Sequence, residues 1–248
     1  MDVVSTMRDE PDPTDARARA RGHHGAVTQG ADGAGAPSHD EADESAGGPV
    51  GDPARPRLPP GQVVAQDWRV MHYGRPPTFR PDTWDFQVLG ATVDGGATRW
   101  AYDDLMALPQ ADVRADFHCV TKFSMLDNTW TGVLTATILA AAPPDPSTTH
   151  VLVWADRGYT ANLRLADLQA PTSMLAHSHD GTALSVEHGA PLRLVVPHLY
   201  AWKGPKWVRG FEYLTEDRRG FWEERGYHSV GDPWREQRYS YQETDPDH

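Results

Sequence analysis

At 248 residues the chain is long enough to bury a sizeable core, as one large domain or two small ones. Its formal net charge of -12 argues against a broad surface for nucleic acid or anionic membranes, so any local basic cluster stands out. A single cysteine excludes an intramolecular disulfide and gives no sign of an oxidising compartment, and no apolar run approaches the roughly 18 residues of a membrane span.

Residues 1–60 are built of Ala, Gly, Asp, Pro and Arg, and no aromatic residue precedes Trp68. So few large apolar groups cannot offset the entropy of ordering, which predicts a disordered tail ahead of one domain over 61–248. The tail lacks the apolar region of a signal peptide. Its Arg17-Ala18-Arg19-Ala20-Arg21 run has neither the adjacent arginines nor the apolar stretch of a twin-arginine signal, and His23-His24 follow as solvated residues. The cytoplasm is the expected address.

Order is expected to begin near Gln66, where Asp67-Trp68-Arg69-Val70-Met71-His72-Tyr73-Gly74 leads into Arg75-Pro76-Pro77 as an extended arm. The period-two spacing of Trp84, Phe86 and Val88 predicts a half-buried strand that turns at Gly90 or Gly95-Gly96. A short helix over 102–108, stopped by Pro109, precedes a strand over 113–119. Residues 135–142 read as a helix stopped by Pro143-Pro144, 151–154 as a buried strand, 163–168 as a strand and a helical turn, and 174–176 as another short element. Strands and short helices mix without regular alternation, so the predicted class is α+β with mixed sheets.

The only cysteine lies in Asp116-Phe117-His118-Cys119-Val120-Thr121-Lys122-Phe123-Ser124, at or just past a strand end, where scaffolds commonly present reactive groups. On the residue alone two readings stand. A free thiol is often a small buried hydrophobe; with His118, Lys122, Asp116 and Thr121 around it, it can also be a nucleophile or a metal ligand.

A second stretch carries positive charge. Between Glu187 and Glu212 there is no acidic residue, while Arg193, Lys203, Lys206 and Arg209 are present. Gly189 and Gly204 permit close backbone approach, and Gly204-Pro205 sets a turn whose amides and lysines can hold an anion. The bland alternative is a strand over 192–196 with surface lysines around a loop. Against it, an arginine inside Leu192-Arg193-Leu194-Val195-Val196 calls for a paired anion, because an unpaired buried charge is costly.

Asp116-Phe117-His118-Cys119-Val120-Thr121, His188-Gly189-Ala190-Pro191-Leu192-Arg193, Val196-Pro197 and Lys203-Gly204-Pro205-Lys206-Trp207-Val208 together resemble the molybdopterin-binding domain of the sulfite oxidase family, in order and spacing across roughly 65–240. The tail Gly220-Phe221-Trp222-Glu223-Glu224-Arg225-Gly226-Tyr227-His228 resembles the stand-alone branch and, more distantly, the catalytic subunit of the molybdenum-dependent methionine sulfoxide reductase. The resemblance implies a sulfite oxidase-type fold and the molybdenum-molybdopterin cofactor, with Cys119 as thiolate ligand of the metal. It places His72, Tyr73, His188, Arg193, Gly204, Pro205 and Lys206 on the pterin and its phosphate.

The activity implied is two-electron oxygen-atom transfer on a small sulfur-containing substrate, of the sulfite-oxidising kind. For an anionic substrate Arg157, Lys203 and Lys122 are the candidate cations at the opening. A mouth lined instead by Trp130, Trp154, Tyr159 or Trp202 favours reduction of a neutral sulfoxide or other small organic oxide. The chain is not expected to carry a haem domain or the dimer-forming β-sandwich, so electrons pass to a separate haem, flavin or ferredoxin-type protein, with no nucleic acid and no membrane span involved. Other classes fare worse. A thiol hydrolase lacks a nucleophile elbow around Cys119, His177-Ser178-His179 lacks a zinc-site pattern, and a catalytically silent cofactor-binding module is the non-redox alternative.

Overall fold

The computed structural model describes residues 56–243. Most of the expected tail, with Arg17, Arg19, Arg21 and His23-His24, lies outside the described residues. The chain engages its domain earlier than Gln66: Arg57 pairs with Asp116 (2.6 Å), Gln62 Nε2 donates to the Cys119 carbonyl (3.1 Å), and strand β1 (Val63–Val64) already lies in a sheet. Each anchor is a polar or single-strand contact to a distant element, which no local apolar pattern announces.

Two sheets form the body. The first is built on the long hairpin of β4 (Gln110–Cys119) and β5 (Phe123–Leu134); β5 also pairs in parallel with β1 and antiparallel with β8 (Met174–His179). Beyond β8 lie β10 (Arg193–Val195) and the two-residue β9 (Thr182–Ala183). The second sheet runs β3 (Thr98–Ala101), β2 (Asp85–Gly90), β11 (Val208–Leu214), β6 (His150–Ala155), β7 (Thr160–Arg164), with β2 and β11 parallel and the other pairs antiparallel. Three short helices, α1 (Tyr102–Met106), α2 (Thr135–Ala141) and α3 (Leu165–Gln169), connect strands. This is the mixed-sheet α+β class predicted.

Alternation explains the core where it holds. Trp84, Phe86 and Val88 are all buried and pack with Val151, Val153, Phe211, Leu192 and Leu194 in one cluster; full burial of such a side chain contributes about 1.5–3 kcal/mol. Where a bulge breaks the period, as between Val208 and Gly210 in β11, the alternation of buried and exposed residues slips by one. Gly210 is required there, since a Cβ would fall 2.2 Å from the Gln87 carbonyl oxygen and 2.3 Å from the Trp154 ring.

Candidate functional site

Cys119 ends β4. The next three residues form the hairpin turn, closed by the Lys122 N–H on the Cys119 carbonyl (3.1 Å), with Lys122 itself in the left-handed region (φ 70°). The thiol is buried, with Sγ 3.2 Å from Thr121 Oγ1 and 3.9 Å from Met71 Sδ. Burial pushes its proton affinity up; the Thr121 hydroxyl and amide and the charges of Arg238 and Lys206 oppose the rise without cancelling it. Unassisted, the thiol keeps its proton at neutral pH, and a metal would displace it.

Of the polar residues beside Cys119 in sequence, Thr121 reaches the sulfur, whereas His118 and Lys122 do not contribute to its setting. His118 points to the opposite face of the strand, as period-two geometry requires, where its Nδ1 meets Ser124 Oγ (2.8 Å) and its ring abuts Trp234. Burial lowers its pKa to about 4, so it is a neutral ring. Lys122 is exposed on the turn. The nearby cations come from afar, as Lys206 and Arg238.

Arg193, 2% exposed, lies in β10 and bridges antiparallel to Lys206. Its guanidinium sits 5.2 Å from the ring centroids of Trp68 and Phe117 and 5.6 Å from that of Trp130; Nη1 donates to the His188 carbonyl (3.0 Å), while the buried Nε has no partner. Burial pulls its pKa down to about 10, so it remains charged. Lys206 gives two of its three N–H groups to the carbonyls of Met71 and Glu187, both at 2.6 Å. Burial and then Arg193 lower its pKa to about 7. His188 stacks on Trp68 at 3.9 Å, and its buried Nε2 is also without a partner. Among the described residues neither Arg193 nor Lys206 forms an ion pair.

Two glycines let this cluster close up. A Cβ on Gly189 (φ 117°) would fall 2.9 Å from Arg193 Cβ and 3.2 Å from Lys206 Cβ, and one on Gly204 would fall 2.4 Å from the Leu194 carbonyl oxygen. Pro205 is buried beside them, its carbonyl accepting the Leu194 N–H (2.9 Å). His72 lies against Trp207, and Tyr73, 65% exposed, meets Phe221 at 5.2 Å. Arm, hairpin and loop thus converge.

Lys203 departs from expectation. It is fully buried, and all three N–H groups are spent on Glu223 (2.8 Å), Asn162 (2.7 Å) and the Ser229 carbonyl (2.6 Å), so it faces no opening. Arg157 is exposed in the turn after β6, with left-handed backbone (φ 68°). Trp130 and Trp202 are core residues, and Tyr159 is tied to the Trp202 carbonyl (2.8 Å). Replacing Lys203 by methionine strands the Glu223 carboxylate in the interior, and the expected cost is about 3–5 kcal/mol, read as a lower denaturant midpoint in equilibrium unfolding.

The set suits a group that is both anionic and sulfur-bound. A buried arginine and a half-buried lysine without a carboxylate partner among the described residues, with a free Arg193 Nε, a free His188 Nε2 and one unspent Lys206 N–H, fit a phosphate-bearing ligand. Cys119 Sγ, with Met71 Sδ beside it, supplies soft donors. Sequence reasoning missed Trp68 and Met71 as parts of the site, although their position in the arm two to five residues before Tyr73 was visible. It also missed Arg238, which nothing local marks.

Residues 72–222 match the model of the oxidoreductase molybdopterin binding domain. The chain is 43% identical over 186 residues to an uncharacterized oxidoreductase, YuiH, of Bacillus subtilis, covering 75% of this chain and 93% of that protein. It is 31% identical to the protein-methionine-sulfoxide reductase catalytic subunit MsrP of Gluconobacter oxydans, over 58% of this chain and 51% of that one. Among solved structures, the sulfane dehydrogenase SoxCD of Paracoccus pantotrophus aligns with a TM-score of 0.53 at 20% identity, over 58% of this chain and 41% of that one, which speaks for a shared fold. The chain therefore spans nearly all of the Bacillus relative but about half of MsrP.

Proposed function

The chain belongs to the oxidoreductase molybdopterin-binding family, of sulfite oxidase type, and on that premise we propose that it carries out two-electron oxygen-atom transfer on a small sulfur-containing compound. It is a molybdopterin-dependent oxidoreductase, and its cofactor is molybdenum-molybdopterin. When bound, that group supplies the redox chemistry and the site at which oxygen is exchanged. The chain's own residues bind and orient it. Cys119 gives a thiolate to the metal; Arg193, Lys206 and His188 take the anionic pterin and its phosphate; Gly189, Gly204 and Pro205 shape the cradle; His72 and Tyr73 close the arm over it. One observation carries this reading: a buried arginine and a half-buried lysine that form no ion pair among the described residues, in the electrostatic reach of the only cysteine.

Sulfite-like oxidation leads, with Arg157 and Lys122 as the remaining candidate cations for an anionic substrate. Reduction of a neutral sulfoxide is the second reading, and it gains from Lys203 being locked onto Glu223 while the exposed ring beside the arm is Tyr73 against Phe221 and Trp222. We place electron exchange with a separate haem, flavin or ferredoxin-type carrier, which the description of the Gluconobacter relative as a catalytic subunit supports. No helix among the described residues is long and apolar enough to cross a membrane. A cytoplasmic address is part of the proposal; recovery of the protein from the periplasm refutes it.

Protein made in a host that assembles the cofactor is expected to carry about one molybdenum and one pterin per chain. It should turn over sulfite, or else sulfoxides, in a dye-coupled assay run in both directions. Metal-free protein from several such hosts would overturn the proposal, and the ratio of the two activities decides between its two substrates.

A further inference from the structure

Arg238 lies beyond the stretch that matches the family model, on the C-terminal segment that folds back beneath the Cys119 hairpin. It is 7% exposed, and its Nη1 donates to the carbonyl of Val120, the residue after the cysteine. The guanidinium stands 4.9 Å from the Tyr200 ring centroid, and its buried Nη2 makes no hydrogen bond. Glu236, the carboxylate in ion-pair range, is 3.7 Å away with its side chain 48% exposed, so solvent weakens that pairing. The backbone around Arg238 is pinned on both sides. Gln242 Oε1 accepts its N–H (2.8 Å), and the His228 N–H donates to its carbonyl (3.1 Å).

A buried arginine is retained at a cost, and here the fork has one arm on the turn and one arm unspent. We infer that Arg238 is a positioning residue for Cys119: its hydrogen bond to the carbonyl of the next residue, Val120, fixes the turn that aims the sulfur, and its nearby charge would favour a metal-bound thiolate there. The inference rests on the reading of Cys119 as the metal's ligand. Tyr200 and Gln62 complete the shell, Gln62 by donating to the Cys119 carbonyl and Tyr200 as the platform under the guanidinium.

The test compares full-length wild type, Arg238→Gln and Arg238→Lys, using backbone hydrogen exchange on metal-free protein and the reduction potential of metal-loaded protein. In Arg238→Gln the amides of residues 120–122 are expected to exchange at least about tenfold faster while β6 and β11 stay protected. The metal's potential should move to a more negative value, because removing a positive charge makes electron uptake harder. Arg238→Lys keeps the charge and should hold the potential near wild type. An unchanged potential in Arg238→Gln, or a shift as large in Arg238→Lys, overturns the inference. Should Arg238→Gln not fold, Gln242→Ala loosens the segment that carries Arg238: faster exchange at 120–122 is expected, and unaltered exchange overturns the inference. Wild-type protein devoid of molybdenum would instead sink the reading of Cys119 itself, leaving the exchange measurement to judge the turn alone.

Discussion

Cys119→Ala is expected to reduce turnover to background and to strip the molybdenum, while leaving the fold intact. The thiol touches Thr121 and Met71 and makes no disulfide, so its removal deletes one small buried atom and is expected to change stability by about 1 kcal/mol. Nothing in the strand geometry depends on it: Cys119 pairs with Phe123 through its backbone, and the turn is closed by its carbonyl. The loss expected here comes from the proposed ligand role of the sulfur, not from the fold. A serine at the same place keeps a hydrogen bond to Thr121 but offers a hard oxygen to a metal that prefers soft donors, so Cys119→Ser should behave like alanine in metal content. Elemental analysis, a thermal melt and the dye-coupled assay on the same preparations check this. Retained molybdenum and turnover in both variants would return Cys119 to the role of a buried hydrophobe.

Much of the site was legible because its chemistry conflicts with its local context. Cys119 at a strand end and Arg193 inside an apolar run both break a local rule, and such breaks mark sites. The strand over Trp84, Phe86 and Val88 and the helix after Leu134 followed from periodicity, and they hold as β2 and α2. What stayed hidden was decided by partners distant in sequence. Lys203 and Lys206 lie three residues apart in one loop and look equivalent in sequence. Glu223, twenty residues later, makes the first a structural ion pair and leaves the second with a spare donor. Similarly, His118 adjoins Cys119 in the chain yet faces away, whereas Arg238 reaches the hairpin across 118 residues. Strand β5 escaped because Asp127, at φ 63°, and two register shifts interrupt its alternation.

Lys206→Met is expected to make the cofactor-free protein more stable and the enzyme worse. In the cofactor-free fold the half-buried Lys206 ammonium lies beside Arg193 with two carbonyls to hold it, and its desolvation, then Arg193, lowers its pKa from 10.5 to about 7. The unfolded chain therefore binds more protons between about pH 7 and 10.5, and unfolding free energy should rise with pH across that window by about 2–4 kcal/mol. Below pH 7 the lysine is protonated in both states and the full penalty is present. Methionine abolishes the penalty, so the variant should lose most of this slope and exceed wild type at neutral pH by a similar amount, as replacement of buried charge by apolar volume often does. Its cofactor retention should fall at least about tenfold, because a charge-assisted bond to the phosphate is gone. Arg193→Met should act in the same direction on retention, with its pH effect displaced above about 10, where its own lowered pKa lies. Denaturant titrations of cofactor-free wild type and Lys206→Met from pH 6 to 10, with pterin released from the purified proteins, measure both sides. A flat wild-type profile would show that Lys206 has an anionic partner in the empty fold, and full retention in Lys206→Met would remove it from the cofactor's phosphate. Stability against occupancy is the trade a binding cation imposes, and in this chain it is concentrated in two residues bridged across β10 and its neighbouring loop.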